Sequence, residues 1–456
     1  MKASLSPIFL GLASLALLSP LVTPVQATDF TWTALGIDRY WGDRDNWAGG
    51  TGFPGASPFD NDTALFPVRS QSYLVEINNS SFPYVAGITF ATPGYSLQIG
   101  ATTLHANGGI TATVANAPDF EVNGGLVIGG PTMIRNLTGS GFISTSLNSS
   151  TLTQVGPAGN FTGAIRDSGG DPTTALTVGD GTQTASLTLN PDSDGPNTYT
   201  GTTRVQTNAT LVNGAAGALA ADSPHVIDGT LDLTAGSGTV KSLSGTGTVS
   251  LGANTLTITN GGTFAGTMTG TGTTIVSGGR FALNGSTTGG ALVQSGAELG
   301  GSGTLGGPVT VQSGGTLSPG NSPGQLTLLS DLTLNSGSSL EMEFDGTAPG
   351  LYDQLDVQGL FEAGGTLVLT IDGGFTPAIG ETFTIFNGAT PGFDSGSFAL
   401  STNLPDGLAW DTSALGSLGV VTVVPEPSTW ALLTTALLFT WVWGRRSVSR
   451  DRSSTI

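Results

Sequence analysis

Hydrophobic and polar positions along the middle of the chain alternate with a period of two, in short runs closed by glycine. Thr210-Leu-Val-Asn, Thr230-Leu-Asp-Leu, Thr248-Val-Ser-Leu, Thr255-Leu-Thr-Ile, Thr273-Thr-Ile-Val and Arg280-Phe-Ala-Leu all follow this form, and Leu326-Thr-Leu-Leu and Leu332-Thr-Leu-Asn continue it. Alternation of this kind marks strands that turn one face inward. The pairs Gly261-Gly262, Gly278-Gly279 and Gly314-Gly315 permit the positive φ angles of tight corners. Leu211 and Leu231 are 20 positions apart, and Leu231 and Val249 are 18 apart. A repeat of about 20 residues made of strand and corner predicts an all-β solenoid, an elongated right-handed parallel β-helix. Its rungs would stack at ~4.8 Å, each satisfying the backbone groups of the next. An array of β-sandwiches is the alternative architecture.

Two continuous apolar runs break this pattern, one at each end. Ile8 to Leu18 follows Lys2 and precedes Val25-Gln26-Ala27, which together form the n-region, h-region and small-residue cleavage site of a secretory signal peptide. Residues 1–27 are therefore expected to be a signal helix removed after Ala27, with a buried N-terminal helix as the alternative. Trp430 to Trp443 carries no charge and is followed by Arg445, Arg446, Arg450 and Arg452. This run, about residues 428–443, is short against the ~20 residues of a usual spanning helix. Its flanking tryptophans and arginines suit a C-terminal transmembrane helix with Arg445 and Arg446 held on the cytoplasmic side. Residues 28–424 would then lie across the membrane.

Immediately before that run stands Val424-Pro425-Glu426-Pro427. Pro-Glu-Pro, a short apolar helix and an arginine cluster, in this order over residues 424–452, resemble the PEP-CTERM sorting domain of Gram-negative bacteria. The resemblance implies recognition of Pro425, Glu426 and Pro427 by an exosortase-type membrane enzyme after transport by the general secretion machinery. It further implies transient anchoring at the inner membrane and delivery to the cell surface or extracellular matrix, in association with exopolysaccharide or biofilm. Two prolines also predict an extended, unpaired segment that a protease can thread. A plain C-terminal anchor is the alternative.

Composition narrows what the exported part can do. Between Thr28 and Val424 there are 30 acidic and 8 basic residues, a net charge of −22. Such a surface repels phosphate backbones, so no nucleic-acid partner is expected. There is no cysteine, which removes disulfides, thiolate metal sites and cysteine nucleophiles. With 71 glycines and 10% charged residues the chain could also be read as a linker, but the regular alternation of Leu, Val, Ile and Phe argues for order.

Several segments resemble a second family. Leu187-Thr-Leu-Asn, Asn197-Thr-Tyr-Thr-Gly-Thr-Thr-Arg-Val and Ala209-Thr-Leu-Val-Asn-Gly are similar to the autotransporter-associated β-strand repeat, with Asn208 where a glycine is common. Gly303 to Gly324 and Tyr352-Asp-Gln-Leu-Asp-Val are similar to the end of such passenger domains. The likeness over about residues 185–390 implies a β-helical body, while residues 391–423 are too few for a membrane barrel. The expected organisation is a signal peptide at 1–27, a Trp-rich cap with the first rungs at 28–130 and a Gly-rich solenoid at 131–340. A C-terminal β region at 341–423 and the sorting tail at 424–452 complete it. In the first of these body regions Trp32, Trp41, Asn46 and Trp47 are expected to cover the open end of the stack. A platform of exposed rings that stacks on sugars is the other reading.

Candidate chemistry is sparse. His105 and His225 are 120 positions apart and are expected in surface loops. A glycosidase needs only two carboxylates, and Asp228 with Asp232, or Glu341, Glu343 and Asp345, could supply them. Alternate acids on one strand are also the ordinary solvent face of a sheet. Asp43, Asp45, Asp60 and Asp62 offer oxygen ligands for calcium without the loop pattern of an EF-hand. No catalytic set, cofactor motif or nucleotide loop is expected. The sequence therefore points to an exported structural or adhesive protein, with a β-helix polysaccharide lyase or glycosidase as the alternative.

Overall fold

The computed structural model describes residues 28–426, apart from 36–38, 50–51, 57–60, 69–72, 79–82, 147, 170–172, 192–194 and 389–397. The expected signal helix, membrane helix and arginine cluster lie outside these residues.

Alternation settles the inside of the molecule. In Ala185–Leu189 and Ala209–Asn213 every second side chain is buried. The same parity recurs in each rung, so apolar side chains stack in columns. Leu187 pairs with Leu211, Leu211 with Leu231, Leu231 with Val249 and Val249 with Met268, all in parallel register. The 20- and 18-residue spacings read from the sequence are thus single turns of a coil. Spacing between paired residues on this face ranges from 17, between Phe120 and Leu137, to 31, between Leu355 and Phe386. Parallel pairing of this kind excludes the sandwich array for the described body.

Three faces build the coil. The first is a 15-stranded parallel sheet from Tyr73–Ile77 to Phe386–Asn387. The second is an 11-stranded sheet from Trp47–Ala48 to Ser242–Ser244. A single bridge from Gly245 to Phe264 carries it into a seven-stranded sheet that ends at Ala399–Thr402. The third face has five strands, Tyr84–Val85 to Ala164–Arg166, and seven more from Gly238–Val240 to Phe361–Glu362.

Between Arg166 and Gly238 the third face loses its regular strands, and side-chain amides replace the ladder. Buried Asn197 accepts from the Ile165 amide at 2.6 Å and donates to the Ala218 carbonyl at 2.7 Å. Asn213 donates to the Gly236 carbonyl at 2.8 Å. Buried backbone groups must find partners, and here asparagines supply them.

The corners show why glycine is needed. Gly229, Gly247, Gly266, Gly285 and Gly303 stack above one another; a Cβ on Gly266 would stand 2.0 Å from the Gly247 carbonyl oxygen, and one on Gly285 1.8 Å from that of Gly266. Asn208 holds φ at +65°, a conformation that asparagine tolerates better than most residues. Helix among the described residues is confined to Leu415–Leu418 and two 3₁₀ turns, Arg44–Asn46 and Val114–Asn116.

Candidate functional site

Both ends of the stack are closed by aromatic clusters and antiparallel strands. At the N-terminal end Trp47–Ala48 pairs antiparallel with Asp29–Trp32 and forms the outer edge of its sheet. Trp32, Trp41 and Trp47 are 1%, 2% and 6% exposed. Their rings meet at 4.9–5.0 Å, and Phe66 stacks on Phe90 below them at 4.6 Å. The Trp41 indole N–H donates to Pro54 O and that of Trp47 to Trp41 O. Buried rings contribute roughly 2–3 kcal/mol each, and rings in this state offer no face to a sugar. The cap reading holds and the tryptophan platform does not. Aromatic surface left there is Tyr40, over a shallow recess lined by Phe53, Asn78 and Pro83.

At the far end Thr382–Thr384, Val420–Pro425 and Leu408–Asp411 form a three-stranded antiparallel sheet. Phe344, Phe383 and Trp410 pack beneath it at 4.9–5.7 Å. The middle strand leads directly into Pro425-Glu426-Pro427. Pro425 sits opposite Leu408, and the Glu426 N–H donates to Gly407 O at 2.9 Å. The motif's first two residues are therefore extended but paired on one side, where an unpaired segment was expected. Pro427, Ala27, Arg445 and Arg446 lie outside the described residues. No helix among the described residues is long and apolar enough to cross a membrane.

Both histidines sit on strands, which corrects their expected place in surface loops. His105, within Thr103–Ala106, stacks on Tyr84 at 4.0 Å, and partial burial lowers its pKa. His225, within Pro224–Ile227, is fully buried between Thr203 and Leu243 of the neighbouring rungs. Its Nδ1 lies 2.8 Å from Ser223 O, so that N–H donates and the ring is neutral; Nε2 has no partner. Burial pushes its pKa down to about 4. The hydroxyls of Tyr199, Thr203 and Ser223 form a buried chain beside it, at 2.7 and 2.8 Å.

The suggested carboxylate pairs fare differently. Asp228 binds Arg204 at 3.3 Å, and Asp232 accepts from the Thr234 amide at 2.9 Å. Each is occupied locally. Glu341 and Glu343 instead share the outward side of Ser339–Phe344, followed by Asp345, and they join a larger cluster. Arg280 pairs with Glu298 at 2.5 Å and also donates to Gly320 O at 3.2 Å, lying across Gly300. Glu341 is held above the usual carboxylate range, first by partial burial and then by the charges of Glu298 and Glu343; Arg280 opposes the shift. Ser322 donates to Glu343.

Asp353 anchors the same region from beneath. It is fully buried and accepts from the amides of Gly324 and Glu343 at 2.7 and 2.8 Å, tying the loop after Pro319 to the next rung. Burial raises its pKa to about 7 against these hydrogen bonds, with the charges of Glu343 and Asp345 adding to the rise. Glu298 and Asp353 were not among the sequence candidates. Asp353 shares parity with inward Leu355 and Val357, which is the signal that marks it as buried. The cluster has the elements of acid catalysis, a carboxyl that keeps its proton longer beside two carboxylates and a cation.

Of the suggested calcium ligands, Asp43 accepts from the Asp45 amide and caps a 3₁₀ turn, and Asp45 lies 3.8 Å from Arg44. Asp62 accepts from the amides of Thr28 and Gly55, and Asp60 is outside the described residues. Among the described residues no three His, Asp or Glu side chains converge with metal-holding geometry. No protein-family model matches the sequence, and no curated protein is significantly similar to it.

Proposed function

We propose that this chain is an exported structural or adhesive protein of the bacterial envelope or extracellular matrix, released to its site by exosortase-type sorting and associated with exopolysaccharide. The observation that carries this reading is the course of the last strand. Val420–Pro425 closes the stack and ends exposed at Pro425 and Glu426, the first two residues of Pro-Glu-Pro. A rod sealed at both ends is an architecture for display, because its edges are blocked against end-to-end pairing. The coil is taken as right-handed, the hand that connections between parallel strands almost always adopt. The signal peptide at 1–27 and the membrane segment at 428–443 complete the route.

Sorting is tested by expressing the full chain in an exosortase-bearing host and following the C-terminal segment by mass. Removal in the wild type and retention in Glu426→Ala is the expected result. Equal processing of both proteins would overturn the motif's role.

The elevated proton affinity of Glu341 beside Glu298 and Glu343 favours a second reading, a glycosidase or lyase. Incubation of the full chain with neutral and acidic polysaccharides decides between the two. Product formation lost in Glu341→Gln would establish the enzyme, and binding without product would establish the structural role.

A further inference from the structure

The 15-stranded face carries a column that neither the sorting motif nor the acidic cluster uses. Ser186 pairs with Thr210, Thr210 with Thr230, Thr230 with Thr248 and Thr248 with Thr267. Thr267 then pairs with Ser286, Ser286 with Thr304 and Thr304 with Thr327. Eight successive rungs thus present a hydroxyl at one outward position, at the ~4.8 Å ladder spacing.

Elsewhere hydroxyls lock the coil to itself: Thr138, Thr162 and Ser277 each donate to a carbonyl of a neighbouring rung. Within the described residues no hydrogen bond engages any hydroxyl of the column, and all eight side chains are at least partly exposed. They are donors and acceptors held in line and left for an outside partner.

Charge selects that partner. In a body of net charge −22, the cations between Ser186 and Thr327, namely Arg204, Lys241 and Arg280, all lie off this face, and the charges on the face itself are acidic: Asp232 on the strand of Thr230, and Asp356, which pairs with Thr327 at the column's end. A polyanion would be repelled here with nothing to clamp it. An uncharged hydroxyl-rich polymer meets no such penalty. A pyranose ring is about as long as a rung is tall, so an extended glycan lying along the axis keeps step with the column. Each hydrogen bond adds little in water. A rigid row of them makes affinity grow with the length of chain engaged.

We propose that the Ser186–Thr327 hydroxyl column is a binding track for an extended, uncharged β-linked glycan. The proposal rests on the extracellular reading above and gives its polymer a place and a chemistry.

The test uses the full chain in a detergent without a sugar head group, with cello-oligosaccharides of about three and seven rings as probes and alginate as the anionic comparator. The longer oligosaccharide is expected to bind at least tenfold more tightly than the shorter. Thr→Val at Thr230, Thr248, Thr267 and Thr304 together keeps the β-branched shape and should reduce binding at least tenfold. The same change at Thr239, Thr257, Thr310 and Thr333, on the neighbouring seven-stranded face, should leave binding unchanged and shows whether four such changes are tolerated. Length-independent binding, equal loss in both variants, preference for alginate, or no binding of either neutral probe would each overturn the proposal. Normal removal of the C-terminal segment alongside any of these outcomes places the failure in the track and not in the sorting.

Discussion

Replacing Gly266 with alanine isolates the demand that stacked corners make on the sequence. The added Cβ would stand 2.0 Å from the Gly247 carbonyl oxygen and 2.6 Å from the Phe264 ring. Contacts that close force the rung below to move by more than an ångström. That same carbonyl accepts the Thr267 amide at 2.9 Å. Overpacking of this kind costs about 1–3 kcal/mol, and loss of the ladder bond adds about 1 kcal/mol. The expected destabilisation is about 3 kcal/mol, on the order of a hundredfold in a local opening constant. In a solenoid each rung touches only its neighbours, so the damage should stay local.

Native-state hydrogen exchange reads this directly. Amides of Thr248, Thr267 and Ser286 should lose protection, while those of Tyr73–Ile77 keep theirs. Gly87→Ala is the control, since a Cβ there meets nothing within 4 Å at an ordinary φ. That change should be neutral, or stabilising by about 0.5 kcal/mol. Equal protection in Gly266→Ala and Gly87→Ala would refute the claim that rung contact, and not chain flexibility, sets the glycine column.

Asn197→Leu should cost about 2–4 kcal/mol, because it strands the Ile165 amide and the Ala218 carbonyl in the interior; chemical denaturation measures it, and a neutral result would remove the asparagine seam from the account. His225 has a folded-state pKa of about 4 against an ordinary 6.5, so it contributes about 3 kcal/mol above pH 6.5 that is lost as the pH falls toward 4. Asp353 has the opposite sign: raised to about 7, it contributes stability that is full below its ordinary 3.8 and is lost as the pH rises through 7. Over the shared window the two oppose each other, so thermal melts of His225→Leu should show stability rising on acidification and those of Asp353→Asn should show it falling; identical slopes would refute both assignments. Arg280→Gln removes the one influence that lowers the Glu341 pKa, so a carboxyl NMR titration should find Glu341 shifted further upward, and no movement would separate Arg280 from the cluster.

Much of the fold was legible because a solenoid repeats one local rule. The Leu211, Leu231 and Val249 column follows from parity and spacing alone, and the tryptophans near residue 40 are legible as a cover for an open end. Misplaced residues are those where two rules compete. Pro224-His-Val-Ile offers adjacent apolar residues, of which a strand buries one parity; Ile227 turns inward and takes His225 with it. Asp353 obeys the parity of Leu355, but an acid at an inward position contradicts ordinary composition, so its burial shows only when the donors Gly324 and Glu343 are in view. Asn197 is hidden for a related reason, since its role depends on two rungs 32 and 21 residues away. The antiparallel closing sheet carries the same alternation as the parallel strands, and direction of pairing leaves no mark on a period of two.

The closing sheet also bears on how the sorting proposal would operate. A protease that cuts near Pro-Glu-Pro must take hold of an extended backbone, and Glu426 is held by one hydrogen bond to Gly407. Pro425 has no N–H to give, so the strand ends with one weak tie in place of a full ladder pair. Freeing it costs roughly 1 kcal/mol, far less than opening the sheet back to Val423, which is fully buried over the aromatic cluster. On the sorting proposal, proline at 425 thus marks where the paired strand gives way to the segment to be cut. A cut at this point would leave the cap, and with it every stacked rung, intact.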